Sequence, residues 1–522
     1  MKTVLAAQMQ DIDRRMAKEF DVGTDVLMDR AGFGVARAVQ NLADRAGFSD
    51  PLIQVFAGRG NNGGDAFVAA RYLAEEEYEV EVWLAGSVRE LDGDALRAHG
   101  LLKAAKVKCN ELPSRTDWDR LLNELPGGDI LVDGLLGTGV TGPARGPVAG
   151  AIRYINSNAS RGFVVSIDLP SGMNADTGAA PGDVVCADET VTIGLPKKGL
   201  LTPRALEYVG SLEVADIGIP WELIEPLEGG GRELITAADL RSFMPRRLRM
   251  THKGSYGHAL ILAGSADYPG AARLALGAAL RSGAGLVSVY VPDAIRDVVA
   301  NFLPEAIVRG APMTETGSMA AEVWERIRPR LSEFSSILLG PGMTSHPATR
   351  ELVMLALAES TVPVVLDADA LNVLAGQIGL VAKAKGPVVL TPHPGELGRL
   401  LGCTTAVVQE EREATLQKAV EKSNATVILK GAGSLVGSPG RPVHMNLSGN
   451  PGMATGGTGD VLAGLLASLL AQGLEPFDAA RAAVYVHGHA GDSVALRGSQ
   501  HTLMASDLIG EMTGVFRELM LR

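Results

Sequence analysis

Cysteine is scarce, with three in 522 residues at Cys109, Cys186 and Cys403. They stand far apart, with no CxxC and no Cys/His spacing, so the chain encodes neither a disulfide framework nor a zinc site. The nine histidines include no HExxH, and the nearest pair, His487 and His489, has a spacing that a helix does not turn toward one metal ion. Positive charge is also short: 48 Lys and Arg stand against 60 Asp and Glu, a formal net charge of -12. Without a dense basic cluster to neutralise phosphates, a nucleic-acid-binding surface is not expected. No apolar run is long enough to span a bilayer, the longest being Val461 to Ala471, and the opening MKTVLAAQMQD meets charge too soon for a signal peptide. These absences lead us to expect a cytoplasmic protein that binds neither membrane nor nucleic acid. The Walker pattern G-x-x-x-x-G-K-[ST] is missing too, which excludes a P-loop NTPase.

Glycine, in contrast, is plentiful, and it gathers where apolar runs end. The stretch from Asn450 to Leu470 reads NPGMATGGTGDVLAGLLASLL, a Gly-rich loop entering an apolar run of helical length. Free N–H groups and the positive end of the helix dipole would lie at Gly456 to Gly459, where anions bind, with Asp460 within reach of a phosphate held there. A tight loop with a helix cap would give a similar pattern, although it would not need three glycines.

The length predicts at least two domains, and the triple glycine in LEGGGR at 227–232 marks the boundary, giving expected domains of 1–226 and 232–522. In the first, Val4 to Gln40 has helical spacing, and Leu52 to Ala57 reads as a strand running into GRGNNGGD and then an amphipathic helix. Gly58, Gly60 and Gly63 satisfy G-x-G-x-x-G, but the next strand ends in Ala85-Gly86-Ser87 without a ribose-binding acid, against an ordinary NAD dehydrogenase. Asn61 and Asn62 bring polar groups to the mouth of that loop, and Asp65 adds a carboxylate at the first turn of the helix. Two more strands end at Asp133 and Asp168, the edge where open parallel sheets place their sites, although either aspartate alone could be a cap or turn residue. Lys197 and Lys198 fit either a phosphate contact or a solvated pair. In the second domain, short β-rich runs alternate with helical patterns, predicting a parallel α/β sheet whose loops are GPGM at Gly340, DADALN at Asp367, TPHPGE at Thr391, KGAGS at Lys430 and GGTGD at Gly456.

Taken in order, GRGNNGGD, VDGLLGTGVTG, SIDLPSGMNADTG and TIGLPKKGLL resemble the epimerase family that acts on hydrated NADH and NADPH. The resemblance implies a Rossmann-like three-layer α/β/α domain. It implies that the hydrated cofactor is held by Asn61, Asn62, Gly63, Gly64 and Asp65, by Gly137, Thr138, Gly139, Val140, Thr141, Gly142 and Pro143, and by Asp168, which is also the expected acid/base. It further implies a potassium ion on Asn62, Asp133 and Ser171, an all-oxygen set that suits a hard cation. Ala66 and Asp29 depart from the family, which often has Gly and usually Glu there.

The second set of loops resembles the ribokinase-like superfamily, and most closely its branch that dehydrates NAD(P)H hydrates with a nucleotide. This implies a hydrate site at Ala271, Gly342, His393 and Asp460, and ADP or ATP along Lys430, Gly431, Ala432, Gly433, Ser434 and Gly459. Asp460 is the expected catalytic base, kept ionised by the helix dipole. Glu396 in HPGE would orient Mg²⁺ through water. Together the two resemblances imply one bifunctional chain: it interconverts R and S NAD(P)HX and dehydrates the S form to NAD(P)H, releasing AMP and phosphate from ADP. A homo-oligomer acting on NADHX and NADPHX is expected.

Overall fold

The computed structural model describes all residues except 125–126, 140–141, 228–231 and 521–522. Val140, Thr141 and the linker glycines Gly229 to Gly231 lie outside the described residues. The chain divides into two compact units, Met1–Leu234 and Ile235–Arg522.

In the first unit, β1 (Leu52–Ala57), β2 (Glu79–Leu84), β3 (Cys109–Glu111), β4 (Ile130–Gly134), β5 (Phe163–Ile167), β6 (Glu189–Ile193) and β7 (Ser211–Ala215) form a sheet in the order 3-2-1-4-5-6-7. All pairs are parallel, with Val55 between Val82 and Val132. The inner strands are apolar and buried on both faces, as helices on either side require. Phe56 and Leu131 pack with Trp118, Ile152 and Tyr154 of two helices on one face. On the other, α3 (Asn61–Glu75) comes so close that a Cβ on Gly134 would meet that of Ala66 at 2.6 Å. The helical pattern at the start of the chain resolves into α1 (Ala6–Glu19) and α2 (Thr24–Ala46).

One boundary differs from expectation. The Asn61 to Gly64 segment is not a loop: α3 begins at Asn61, with Gly60 as its N-cap, and Asp65 lies in the helix as expected. The glycines serve contact as much as ligand approach, because a Cβ on Gly63 would lie 1.9 Å from the Gly58 carbonyl oxygen. Gly63→Ala should therefore destabilise the first unit by at least the ~1–3 kcal/mol typical of overpacking. The urea midpoint of that unit's unfolding transition checks this.

The short β8 (Glu233–Leu234) ends the first unit. In the second, β9 (His258–Leu262), β10 (Leu286–Pro292), β11 (Ile307–Ala311), β12 (Ser336–Leu339), β13 (Val364–Leu366), β14 (Val388–Leu390), β15 (Thr426–Leu429), β16 (Ser434–Gly437) and β17 (His444–Asn446) run in the order 11-10-9-12-13-14-15-16-17. The expected parallel sheet holds from β11 to β15, but β16 and β17 are antiparallel, so Lys430 to Gly433 is the turn of a hairpin. Tight turns connect only antiparallel neighbours, which the sequence pattern of short apolar runs did not reveal. The helix Thr458–Ala471 is buried at every residue from Val461 on, as expected of a helix that is apolar all round. Gly464 lets it lie against the helix Pro269–Arg281, where a Cβ would come within 2.0 Å of the Ala275 carbonyl oxygen.

Candidate active sites

In the first unit the carboxyl ends of β4 and β5 meet the first turns of α3. Asp133 is fully buried, and its carboxylate accepts from Ser171 Oγ (2.6 Å), Ser171 N (2.9 Å), Ser166 Oγ (2.9 Å) and Leu135 N (3.2 Å). Burial raises its pKa, and the hydrogen bonds, those from Ser171 foremost, pull the other way. All of these donors are neutral. Asn62 Nδ2 donates to the carbonyls of Leu136 (2.9 Å) and Ile167 (3.2 Å), which fixes the amide beside them. Asn62, Asp133 and Ser171 are thus brought to one place, with two carbonyl oxygens. This donor set is all oxygen, with one buried negative charge, and fits a monovalent hard cation.

Asp168 follows β5 and takes a left-handed φ of 68°, its N–H donating to Val191 O at 2.8 Å. Its Oδ1 accepts from Lys197 Nζ and from Ile193 N (3.2 Å). Lys197 is 1% exposed, and its amine also donates to Ile193 O at 2.8 Å. Lys197 is not one of a solvated pair: it is the buried partner of Asp168, while Lys198 is exposed. Asp65, on α3, is buried, and burial first, then the Asp168 charge, holds its pKa well above the usual carboxylate range. A fourth group was not legible in the sequence. Asp13 of α1 faces Lys197 and Asp168, and burial pushes it up to about 6, with Lys197 opposing and Asp168 adding.

Of the remaining predicted positions, Gly137 lies against Asn62, with 3.3 Å between its Cβ position and the Asn62 Cβ. Thr138 is half-buried, whereas Gly139, Gly142 and Pro143 are exposed, Pro143 lying against Gly182. Gly63 and Gly64 are buried within α3.

In the second unit the carboxylates Asp367, Glu396 and Asp460 converge on Lys430. Lys430 Nζ donates to Asp367 Oδ1 at 2.8 Å and lies 3.8 Å from Glu396 Oε2. A Cβ on Gly459 would be 3.4 Å from the same amine, so the lysine reaches the Thr458–Ala471 helix start. Burial works against its ammonium form, but Asp367 and Glu396 outweigh it and hold its pKa high. Thr391 Oγ1 donates to Asp367 Oδ1 at 2.7 Å. Asp367 was not among the predicted site residues, although its strand-end position in DADALN was a signal for it.

His393 caps the helix Pro394–Leu401: its Nδ1 accepts from Gly395 N (3.0 Å) and Glu396 N (3.4 Å), and Glu396 Oε2 accepts from His393 N at 2.8 Å. The imidazole is half-exposed, with Nε2 3.4 Å from Glu396 Oε1. Ala271 and Gly342 are neighbours, the Cβ position of Gly342 lying 2.9 Å from the Ala271 Cβ. Gly431 and Ala432 are exposed, Gly433 and Ser434 partly buried, and Arg412 braces the turn from behind through the carbonyls of Leu429 (3.4 Å) and Gly433 (3.2 Å).

Gly457, with φ of 95°, sets the start of the Thr458–Ala471 helix, and His487 Nε2 donates to Thr458 O at 2.8 Å, the imidazole held neutral by burial with a pKa of about 4. Asp460 sits in the first turn. The expectation that the dipole keeps it ionised needs correction: burial first, then the Asp367 charge, pushes it up to about 7 against the pull of Lys430, and Asp369 and Glu396 add to the rise. Burial, with three carboxylates, outweighs one ammonium and a dipole. Glu396 is likewise raised to about 7, by burial above all, with Lys430 opposing. Its oxygens are already engaged by His393 and Lys430, so a divalent cation could take it only through water; among the described residues no group of three His, Cys, Asp or Glu is placed to hold a metal directly.

Residues 24–199 match the family described as YjeF-related protein N-terminus, and residues 259–513 the family described as NAD(P)H-hydrate dehydratase. The bifunctional NAD(P)H-hydrate repair enzyme Nnr of Moorella thermoacetica is 40% identical over 519 residues, 99% of this chain and 97% of that protein. The enzyme of the same name from Coxiella burnetii is 34% identical over 501 residues, 96% of each. Among solved structures, the ADP/ATP-dependent NAD(P)H-hydrate dehydratase of Bacillus subtilis co-crystallised with ATP/Mg²⁺ is 31% identical and covers 56% of this chain and 100% of that chain, with a TM-score of 0.48.

Proposed function

This chain belongs to the bifunctional NAD(P)H-hydrate repair enzymes, and from that premise we propose how its two units divide the work. The protein is an NAD(P)H-hydrate epimerase and dehydratase. We assign interconversion of the R and S hydrates to Met1–Leu234 and nucleotide-dependent dehydration of the S hydrate to Ile235–Arg522.

Water added to the enamine double bond of a reduced nicotinamide leaves its hydroxyl on the carbon bonded to the ring nitrogen. Loss of that hydroxyl as water gives an iminium cation, and return of water to the other face inverts the centre. In the first unit Asp65, protonated, gives the proton to the departing hydroxyl, and Asp168 takes one from the returning water. One carboxyl that is protonated beside one that is ion-paired is the division of roles such chemistry needs. Asn62, Asp133 and Ser171, with the Leu136 and Ile167 carbonyls, would hold potassium, which would supply a fixed positive charge against the buried Asp133. Epimerisation should therefore run faster in potassium than in tetramethylammonium buffer. Equal rates would remove the cation from the site.

In the second unit the turn 430–434 and the helix start 456–459 would hold ADP or ATP, and the helix N–H groups would gather charge on its terminal phosphate. Asp460 takes the proton of the hydrate's hydroxyl, whose oxygen bonds to the terminal phosphorus as the bond to the departing nucleotide breaks. Phosphate then leaves with the neighbouring C–H proton and the double bond returns, so ADP yields AMP and phosphate. Mg²⁺ would be reached by Glu396 through water and would screen the nucleotide's charge. Ala271, Gly342 and His393 would contact the hydrated ring. The observation that carries this reading is Asp460 at the start of a buried helix, facing Lys430 and Asp367. The test is incubation of mixed NADHX epimers with ADP or ATP, following absorbance of the reduced nicotinamide. Recovery of both epimers is expected; recovery of one alone would remove the first unit's activity, and recovery of neither would remove both.

A further inference from the structure

Asp13 is the one ionisable group of the first site that no strand end or glycine loop supplies. Its helix is fixed there by the backbone on both sides of Lys197: Val4 N donates to Pro196 O at 3.0 Å and Lys198 N to Val4 O at 2.8 Å. Ala6 N donates to Asp176 Oδ1 at 2.7 Å, and the Met9, Ile12 and Met16 side chains are buried with Leu195 and Ile217. Asp13, between the buried Ile12 and Met16, is thereby carried to the segment that holds Lys197, and its charge and those of Lys197, Asp168 and Asp65 act on one another. The acids of α2 look elsewhere, Asp29 to Arg71 and Tyr72, Asp25 to Arg97 and Asp44 toward Tyr78. On α1 itself, Asp11 pairs with Arg14. Among the described residues Asp13 has neither a hydrogen bond nor an ion pair. A partly buried carboxylate without a partner is costly unless something it binds supplies one.

Resting on the assignment of epimerisation to this unit, we propose that Asp13 is a catalytic counter-charge, the carboxylate that stabilises the positive ring formed when the hydroxyl leaves. Lys197 is already committed to Asp168, so those two charges cancel, and Asp65 is neutral while it carries the proton it will donate. Asp13 is then the uncompensated negative charge of the group, present once the pH exceeds about 6. In the step itself the C–O bond breaks with its electron pair on oxygen, Asp65 supplies the proton that makes water, and the ring nitrogen's lone pair forms the C=N bond. Asp13 gains and loses nothing. Its contribution is electrostatic and largest where the positive charge is largest.

The test is the initial rate of R-to-S conversion against pH in the full chain for the parent, Asp13→Asn and Asp13→Glu. The parent should show an acid limb near pH 6. Asp13→Asn should lower kcat by ~10²-fold or more, the effect of removing one preorganised group, leave KM nearly unchanged and flatten that limb, while Asp13→Glu should recover part of the rate and the limb. A variant Asp13→Asn with parental kcat, or one that changes KM alone, would overturn the role. A parent chain without epimerase activity would overturn the reading of the unit itself, and Asp13's role with it.

Discussion

Asp460→Asn is expected to lower dehydration by ~10²–10⁴-fold, the range for loss of a general base, while nucleotide binding and epimerisation stay near parental values. Asn preserves the size of the side chain and its place in the first helical turn. What it removes is the capacity to accept a proton at a pH where the parent Asp460, at about 7, is close to half ionised. The sign follows directly: the base works only when ionised, so the parental rate should fall by roughly tenfold per pH unit below that pKa. Glu396→Gln removes one of the carboxylates that raise Asp460 and should move this limb to lower pH. Calorimetric titration with ADP and nicotinamide absorbance on the same preparations check all of this, and dehydration by Asp460→Asn near the parental rate would reduce the residue to a structural member of the helix start.

Asp168→Asn should act on activity and stability together. Epimerisation is expected to fall by ~10²–10⁴-fold. The substitution also leaves Lys197, 1% exposed, without its counter-charge. Breaking a buried pair from one side typically costs about 3–5 kcal/mol, because the remaining charge stays buried. Lys197→Met added to Asp168→Asn removes that charge and should restore much of the stability without restoring activity. Urea unfolding and epimerisation rates on the single and double variants separate the two effects; a single variant as stable as the parent would mean that the ion pair contributes nothing.

The sites were legible in the sequence to the extent that they sit at the ends of apolar strands. Asp133 and Asp168 are each compatible with a cap or turn taken alone, and it is the recurrence of glycine-rich breaks after buried runs, GGTGD included, that points to sites. Asp13 gave no such sign, since α1 reads as an ordinary amphipathic helix and only tertiary packing brings it to Lys197. The same holds for the protonation of Asp460. The helix dipole is local and can be read from the sequence, whereas burial and the opposing carboxylates Asp367, Asp369 and Glu396, from two segments tens of residues away, are set by tertiary packing. The strands Cys109–Glu111 and Ile307–Ala311 went unrecognised because they lie at sheet edges with partly exposed side chains, where the apolar signal is weak. Asn61 to Gly64 looked like loop because glycine is a poor helix former, yet close contact with Gly58 and Met28 makes glycine the residue that fits.

The bond between Val4 and the residues flanking Lys197 also sets an order of assembly. Leu27 and Ala31 of α2 give Met9, Ile12 and Met16 part of their cover close by in the chain, but Leu195, Ile217 and the backbone partners of Val4 follow nearly two hundred residues later. At ~5–20 residues/s, that is a wait of roughly 10–40 s. During this interval the apolar stripe of α1 has only α2 to pack on, and Asp13 has no Lys197 to face. α1 is thus fixed fully in its unit only when the segment after β6 has been made, and the charge arrangement around Asp168 waits on that late contact.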